Sequence, residues 1–380
     1  MKNKNIFIIG RSEGSYRTQN LIKYLLDNKY ELYFNSFSIT TYKKSIGLKK
    51  VLRKIIRLVD EVIRRTFIIY NIFLSDIVIL PALCNRYKFE LKISKYFKKI
   101  IIVDFYISIY DTIILDRKTH ELNSKEASYL FNLDLNILEN SNYIFFLNQA
   151  EANYYLSPFN IEFNSIRHRI LPLCVEEFFK CELNYVNGKS EVFNICWWGN
   201  YIPLHGLDKI IKAIHHLNES SDINFHLYLF GNKSVNEELT YSNLIKSLNL
   251  EKKVTIKNDY TFKNGKLGDF LIKNCDLVLG NFGDSKKAKN VLVNKVVDGV
   301  AMRAPVLTGE SIAPKEYFHE ETIFYSKNEP QLIAREIIKV AKTNQLIIQN
   351  RVKDSYLIFQ NKFSVEAFYK NLDLFFNSLN

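Results

Sequence analysis

Three stretches of the C-terminal half carry residues whose types and spacing suit the binding of a phosphorylated ligand. The first reads Trp197-Trp198-Gly199-Asn200-Tyr201-Ile202-Pro203-Leu204-His205-Gly206-Leu207-Asp208. It follows an apolar run and ends where a helical pattern begins. Gly199 there lets backbone approach a ligand, and the free N–H groups at the helix start near Gly206 can hold phosphate. An ordinary loop between strand and helix accounts for the same residues without a ligand. The second stretch, Leu229-Phe230-Gly231, is a strand end with a glycine turn, where Gly231 can admit a base or ribose if that edge lies over a crevice. The third spans residues 280–302, a glycine-bracketed loop with Lys286 and Lys289 that passes into a helix carrying Asn294, Lys295 and Asp298.

Asn294 and Asp298 are one helical turn apart and share a face; the position of Asp298 is expected to be exposed. Cations beside a carboxylate at a helix start fit a nucleoside diphosphate, with positive charge for the phosphates and the carboxylate for ribose hydroxyls. A solvated basic helix end is the plainer alternative. Against it, basic residues sit poorly at the positive end of a helix dipole unless an anion joins them. The expected place for the diphosphate is between the Gly199 loop and the helix start at Asn294. In the N-terminal half, Asp104 and Asp111 lie beyond an apolar run, where Asp104 suits a strand-end cap.

The elements that must position these residues follow from pattern. Short apolar runs at 6–9, 30–34, 76–80, 100–103 and 143–147 read as buried strands, with a helix over 18–27. A second series places strands at 193–197, 225–230, 254–256, 276–279 and 305–307, with helices over 206–218, 237–248 and 292–302. Strands alternating with helices predict doubly wound parallel sheets, whose ligands sit at the C-terminal strand ends. Asn148-Gln149-Ala150-Glu151 is a capping box opening a helix. The polar segment 181–190 reads as a linker, and a final helix over 364–379 puts Phe368, Leu372, Phe375 and Phe376 on one side.

With 380 residues the chain exceeds the size of most single cores, which favours two domains. Hydrophobic residues at 47% and charged residues at 24% exclude a disordered chain. A net charge of +12 directs attention to acidic partners. No recognised RNA or DNA module appears, so nucleic acid is not the expected one. The cysteines, Cys84, Cys174, Cys181, Cys196 and Cys275, form no C-x-x-C pair; scattered and odd in number, they suit a reducing cytoplasm. The run at 6–9 is too short for a signal-peptide core, and the apolar window 67–84 is broken by Asn71, Ser75, Asp76 and Pro81.

One further stretch, residues 43–65, has Leu48, Val51, Leu52, Ile55, Val59 and Val62 at helical spacing, with Lys49, Lys50, Arg53, Lys54, Arg57, Arg64 and Arg65 between them. That pattern is a basic amphipathic helix of the kind that lies on anionic membrane. A core-facing helix with a wet basic side is the competing reading.

Taken in order, the C-terminal stretches resemble the GT-B glycosyltransferases, particularly bacterial relatives of glycosyltransferase family 4, from about residue 194 to 314. The phrases that carry the resemblance are G-x-x-I-P-L-H-G at Gly199–Gly206 and F-G-x-S-x-K-A…N-K-V from Phe282 to Val296. Less sharply, Gly10-Arg11, Asp104-Phe105-Tyr106, Tyr110-Asp111, Asp116-Arg117-Lys118 and Phe363-Ser364 look like pieces of such enzymes. The resemblance implies an α/β GT-B chain: two Rossmann-like doubly wound domains facing each other across a cleft. Residues 1–180 would bind acceptor, residues 190–360 a nucleotide sugar, and helix 361–380 would pack back on the first domain.

It also implies transfer from a UDP- or GDP-linked donor to a glycan or lipid-linked acceptor in bacterial surface polysaccharide synthesis, lipopolysaccharide or capsule. Transfer would be retaining and metal-independent, with no cofactor besides the donor substrate, in the cytoplasm or at the inner face of its membrane. On this reading Gly199, Asn200, His205, Gly206, Gly231, Lys286, Lys289, Asn294, Lys295 and Asp298 hold the donor. Arg11, Asp104 and Asp111 lie on the acceptor side, and Asp104 and Asp298 are the catalytic candidates. The chain departs from the family in two places. Its E-x7-E positions read Asn290 and Asp298, and Asn200 and His205 stand where a pyrophosphate-binding Arg and Lys are usual, leaving Lys286, Lys289 or Lys295 to supply the charge. A non-catalytic nucleotide-sugar-binding protein and a sugar-nucleotide epimerase are the alternatives.

Overall fold

Strands this short and apolar cannot face water on either side and need a helix layer on each. The computed structural model, which describes residues 4–10, 15–34, 48–82, 87–175, 191–232 and 235–379, builds two such sheets. The first contains β1 (Asn5–Ile8), β2 (Glu31–Phe34), β3 (Ile77–Leu80), β4 (Ile100–Asp104), β5 (Tyr143–Phe146) and β6 (His168–Ile170). Their order is β2-β1-β3-β4-β5-β6, with every pairing parallel. Between and around them run α1 (Tyr16–Asp27), α2 (Leu48–Leu74), α3 (Lys88–Tyr96), α4 (Lys125–Asn140) and α5 (Gln149–Leu156). A π-helical turn spans Asp111–Asp116.

The second sheet contains β7 (Phe193–Asn200), β8 (Phe225–Asn232), β9 (Val254–Ile256), β10 (Leu277–Leu279), β11 (Val306–Gly309) and β12 (Phe324–Ser326). Its order is β12-β11-β10-β7-β8-β9, again parallel throughout. The helices are α6 (Leu207–Ser220), α7 (Val235–Ser247), α8 (Lys266–Asn274), α9 (Lys286–Asn290), α10 (Asn294–Ala301), α11 (Ile312–Lys315), α12 (Pro330–Lys342), α13 (Gln345–Lys362) and α14 (Val365–Ser378). The strand order reverses between β1 and β3 in the first sheet and between β7 and β10 in the second. Neighbouring loops diverge at such a point and open a crevice beyond the strand ends.

The chain divides into two compact units, Met1–Phe146 with Tyr155–Ile170, and Leu147–Tyr154 with Leu171–Asn380. Within the second unit the Glu316 carboxylate accepts from Gln149 N and Ala150 N, the Tyr317 hydroxyl donates to the Leu147 carbonyl, and Asn148 Oδ1 accepts from Glu151 N at 2.7 Å. The start of α5 is therefore capped both from its own sequence and from α11 onward. Helix α14 lies in the same unit and buries Phe368, Leu372, Phe375 and Phe376.

The predicted strands match within two or three residues, and several further elements were not anticipated. β6 and β12 have three residues each, too few to show a period. The basic helix predicted at 43–65 is Leu48–Leu74 instead, because the helical spacing of apolar residues carries on through Phe67, Tyr70 and Phe73. Its predicted first residues, the linker at 181–190, Cys84, Cys181 and Arg11 all lie outside the described residues.

Gly231 needs a correction. It pairs with Gly199 across β8 and β7, and a Cβ built on it would meet the Tyr201 ring at 2.2–2.5 Å. The space that was assigned to a base or ribose is filled by Tyr201, whose ring stacks on Trp197 at 5.9 Å between centroids. Gly231→Ala should therefore lower unfolding stability by about 1–3 kcal/mol through overpacking. Adding Tyr201→Ala should recover part of that loss in a denaturant-melt cycle; strict additivity would show that the two residues do not compete for one space.

Candidate functional site

The reversal between β7 and β10 brings the first and third sequence stretches together. Trp197 and Trp198 end the buried part of β7, and the loop after them closes in a tight turn at Pro203–His205 before α6. The loop after β10 is organised by Asn281. Its Nδ2 donates to the Ala288 carbonyl at 3.0 Å, its Oδ1 accepts from Gly283 N at 3.2 Å, and its backbone pairs with Thr308 Oγ1 and Gly309 N. The two loops are joined where Phe282 N donates to the His205 carbonyl at 3.2 Å, and the ammonium of Lys209 pairs with Asp284. Gly206 explains why they can approach. Its φ is +62°, and a Cβ there would lie 2.6 Å from the Phe282 carbonyl carbon and oxygen. Only glycine takes both that dihedral and that contact without strain.

Both helices that open at this crevice begin without a side-chain cap. Gly206 starts α6 and Val293 starts α10, and neither provides a capping oxygen. The N–H groups of Lys209 and Val296 turn back to the cap carbonyls, and those before them, at the positive end of each helix dipole, suit an anion.

Lys295 lies on the inner side of α10, only 3% exposed, and its Nζ has no hydrogen-bond partner among the described residues. The ammonium sits 4.3 Å from the centroid of the Trp197 ring. It would be 3.3 Å from a Cβ placed on Gly199, and His205 Nε2 would be 3.7 Å from the same point. His205 is also buried, and among the described residues its Nδ1 has no hydrogen-bond partner. Asp298, one turn further along α10, accepts from Trp198 Nε1 through Oδ2 at 3.3 Å. It is 3% exposed, which corrects the expected surface position: Asn294 faces water while Asp298 does not.

Electrostatics follow from that burial. Desolvation pushes Lys295 well below the usual lysine range, opposed by the Asp298 carboxylate. Desolvation pushes Asp298 up to about 7, opposed by the Trp198 hydrogen bond and by Lys295. His205 is held well below its usual value by burial first and by Lys295 second. Three ionisable groups are thus kept towards their neutral forms in one place, the signature of a site prepared for a partner rather than for stability.

The remaining candidates are distributed as follows. Lys286, Lys289 and Asn294 are exposed on α9 and the start of α10, Asn200 is exposed at the end of β7, and Asn290 is half-buried. Asp104 ends β4 in the other unit, where both its oxygens accept from Arg17 Nε at 3.0 and 2.8 Å; both residues are 3% exposed. Asp111 is buried as the first residue of the π-helical turn, its backbone N–H donating to Ser108 Oγ. Sequence reading placed Trp197, Trp198 and Asn281 in its candidate stretches but gave none of them a role. The doubled tryptophan just before a loop glycine was a visible signal; the bonding of Asn281 to α9 and β11 was not.

Two stability measurements test these assignments. A carboxyl group whose folded pKa is raised retains a proton that the unfolded chain releases, so its contribution falls as pH rises from about 4 towards 7. Asp298→Asn should remove that decline, and the variant should gain on the parent across this window. A lysine whose folded pKa is lowered costs stability at every pH below about 10. Lys295→Met should therefore raise the unfolding free energy of the unliganded protein at neutral pH by on the order of 1 kcal/mol. A variant that unfolds more easily than the parent would make Lys295 a structural lysine.

No family model matches the chain, and no curated protein matches it. Solved structures do. A glycosyltransferase from Rickettsia africae aligns over 100% of both chains with a TM-score of 0.68 at 15% identity. Sucrose-phosphate synthase from Thermosynechococcus elongatus aligns over 99% of both with a TM-score of 0.69 at 12% identity. Anabaena HepE, in complex with UDP-glucose, aligns over 99% of this chain and 100% of its own with a TM-score of 0.69 at 12% identity. At such identities the likeness establishes the fold: the chain has the two Rossmann-like units of the GT-B architecture.

Proposed function

We propose that the protein is a glycosyltransferase that binds a nucleotide sugar at the β7–β10 crevice and passes the sugar to a glycan or lipid-linked acceptor in bacterial surface polysaccharide synthesis. The observation that carries this reading is the Lys295 ammonium, buried between Trp197 and Gly199 without an acceptor among the described residues. A diphosphate would supply the missing acceptor, flanked by the uncapped starts of α6 and α10. The UDP-glucose complex of Anabaena HepE, a protein of the same fold, favours a UDP-linked donor.

In this reading the departing nucleoside diphosphate gains negative charge as the sugar bond breaks, and Lys295 with the helix N-termini stabilises that charge. The leaving group is held by protein groups without a metal, and the sugar is transferred with retention. The Asp298 carboxylate, aligned by Trp198, is placed to accept from donor hydroxyls. His205, neutral at physiological pH, offers a hydrogen bond beside Lys295 rather than a second charge. Asp104 has its acceptor capacity engaged by Arg17, which makes it the positioning half of a buried ion pair on the acceptor side.

Calorimetric titration with UDP, GDP and their sugar conjugates tests the proposal. A UDP- or GDP-linked ligand should bind, and Lys295→Met should weaken it by about a hundredfold, the worth of a lost charge-assisted contact. Release of free sugar or formation of a glycoside from the bound donor should accompany binding in the parent protein. Absence of binding by every nucleotide and nucleotide sugar tried would overturn the reading.

A further inference from the structure

Helix α2 presents more apolar surface to water than its own packing accounts for. In its described second half, Ile68, Asn71 and Ile72 face inward and are buried. On the opposite side Val59, Val62, Ile63, Phe67, Tyr70 and Phe73 are between 42% and 62% exposed. These residues recur at intervals of three and four and form one stripe along the helix. In the sequence, Leu48, Val51, Leu52, Ile55 and Ile56 continue the same spacing back to the start of α2. From Val59 to Phe73 the exposed stripe covers about 20 Å of the helix, a patch rather than scattered exposure.

The stripe continues beyond the end of α2. Tyr96, at the end of α3, is 78% exposed; its ring lies 5.3 Å from that of Phe97, which in turn lies 5.5 Å from Phe73. Cations border this aromatic corner. Lys99 donates to the Phe73 carbonyl at 2.8 Å and stands 5.9 Å from its ring, and Lys92, Lys95 and Lys98 are exposed nearby on the same segment. Along α2 itself the sequence carries seven basic residues, Lys49, Lys50, Arg53, Lys54, Arg57, Arg64 and Arg65, against two acids, Asp60 and Glu61. Glu61 is already engaged by Arg64 at 2.8 Å and Arg65 at 2.7 Å.

We propose that the outer face of α2, together with the Tyr96 corner, docks on an anionic lipid bilayer, with α2 lying in the plane of the interface. Charge decides the occupant. Lys92, Lys95, Lys98 and Lys99 border the patch, and a second copy would bring the same cations against them, so like charges oppose that contact. A bilayer surface rich in anionic headgroups attracts the cations and accepts the apolar stripe at the acyl boundary, with tyrosine and lysine at headgroup level. Among the described residues no helix is long and apolar enough to cross a membrane, so the contact is peripheral. The proposal is independent of the nucleotide reading, since it uses none of the β7–β10 residues.

Flotation of the full chain with phosphatidylglycerol vesicles and with phosphatidylcholine vesicles, without nucleotide, tests it. The protein should float with the anionic vesicles, progressively less as salt is raised, and stay behind with the neutral ones. Phe67→Ser with Tyr70→Ser should lower partitioning at least about tenfold, from the lost apolar burial alone. Both side chains are exposed, so the melting temperature should be unchanged, and Lys95→Gln with Lys98→Gln provides a second variant that spares the stripe and weakens the anionic arm only. Failure to float with either vesicle overturns the proposal. So does undiminished flotation of the Phe67 and Tyr70 variant, or a parent dimer that this variant dissociates, which would assign the stripe to a second copy.

Discussion

An amine held out of water, with nothing among the described residues to accept its hydrogens, is the constraint around which the second unit is arranged. Lys295 reaches across from α10 to the last residues of β7, where the face of Trp197 and the Asp298 carboxylate attract its ammonium. Such a group survives only when the surroundings are more rigid than the penalty is large. Rigidity here has identifiable sources. β7 and β10 are central strands buried on both faces, and the loops that follow them are tied together at His205 and Phe282. Asn281 then anchors the second loop to both α9 and β11, so neither loop can relax without breaking several hydrogen bonds.

The two sheets meet the same topological circumstance with opposite chemistry. Beyond the strand ends of the first unit, Arg17 from α1 meets Asp104 from β4, and two buried charges satisfy each other. Beyond those of the second, Lys295 and Asp298 sit one turn apart on one helix, each shifted towards neutrality by burial. A matched pair holds a helix against a strand; an unmatched cation beside uncapped helix starts creates demand for an anion. The strand order supplies a reversal point in each unit, and the side chains decide how buried charge is handled beyond it.

Helix α2 shows how far one helix can be asked to serve several surroundings. Ile68 and Ile72 anchor it to the first sheet, Arg65 lies over the Phe89 ring of α3 at 5.1 Å, and the remaining side is apolar and open. Glu90, buried on α3 near Arg64 and Arg65, has its carboxyl pushed upward by desolvation, with those arginines opposing the shift. The cost of leaving large apolar groups in water is repaid only where another surface covers them.

Much of the architecture was legible in the chain because it depends on short-range pattern. The apolar runs at β1, β3, β4, β5, β7 and β8, the helical spacing of α1, α6 and α14, and the alternation that forces parallel sheets are all local properties. The stretches at 197–208 and 280–302 were identifiable for the same reason, since glycine, proline and lysine at a strand-to-helix junction have chemical meaning without a partner in view. Burial and direction were not legible. Asn294 and Asp298 share a helix face by spacing, yet only the packing of α10 against β10 and β11 shows that Asp298 is enclosed while Asn294 is wet. Lys286, Lys289 and Lys295 were equivalent as letters; the third dimension made two of them surface lysines and the other a buried cation. Gly231 read as room for a ligand until Tyr201, thirty residues away in the chain, took that room. Spacing along a chain determines which backbone forms, but which side chain loses its water is decided by what the rest of the fold brings against it.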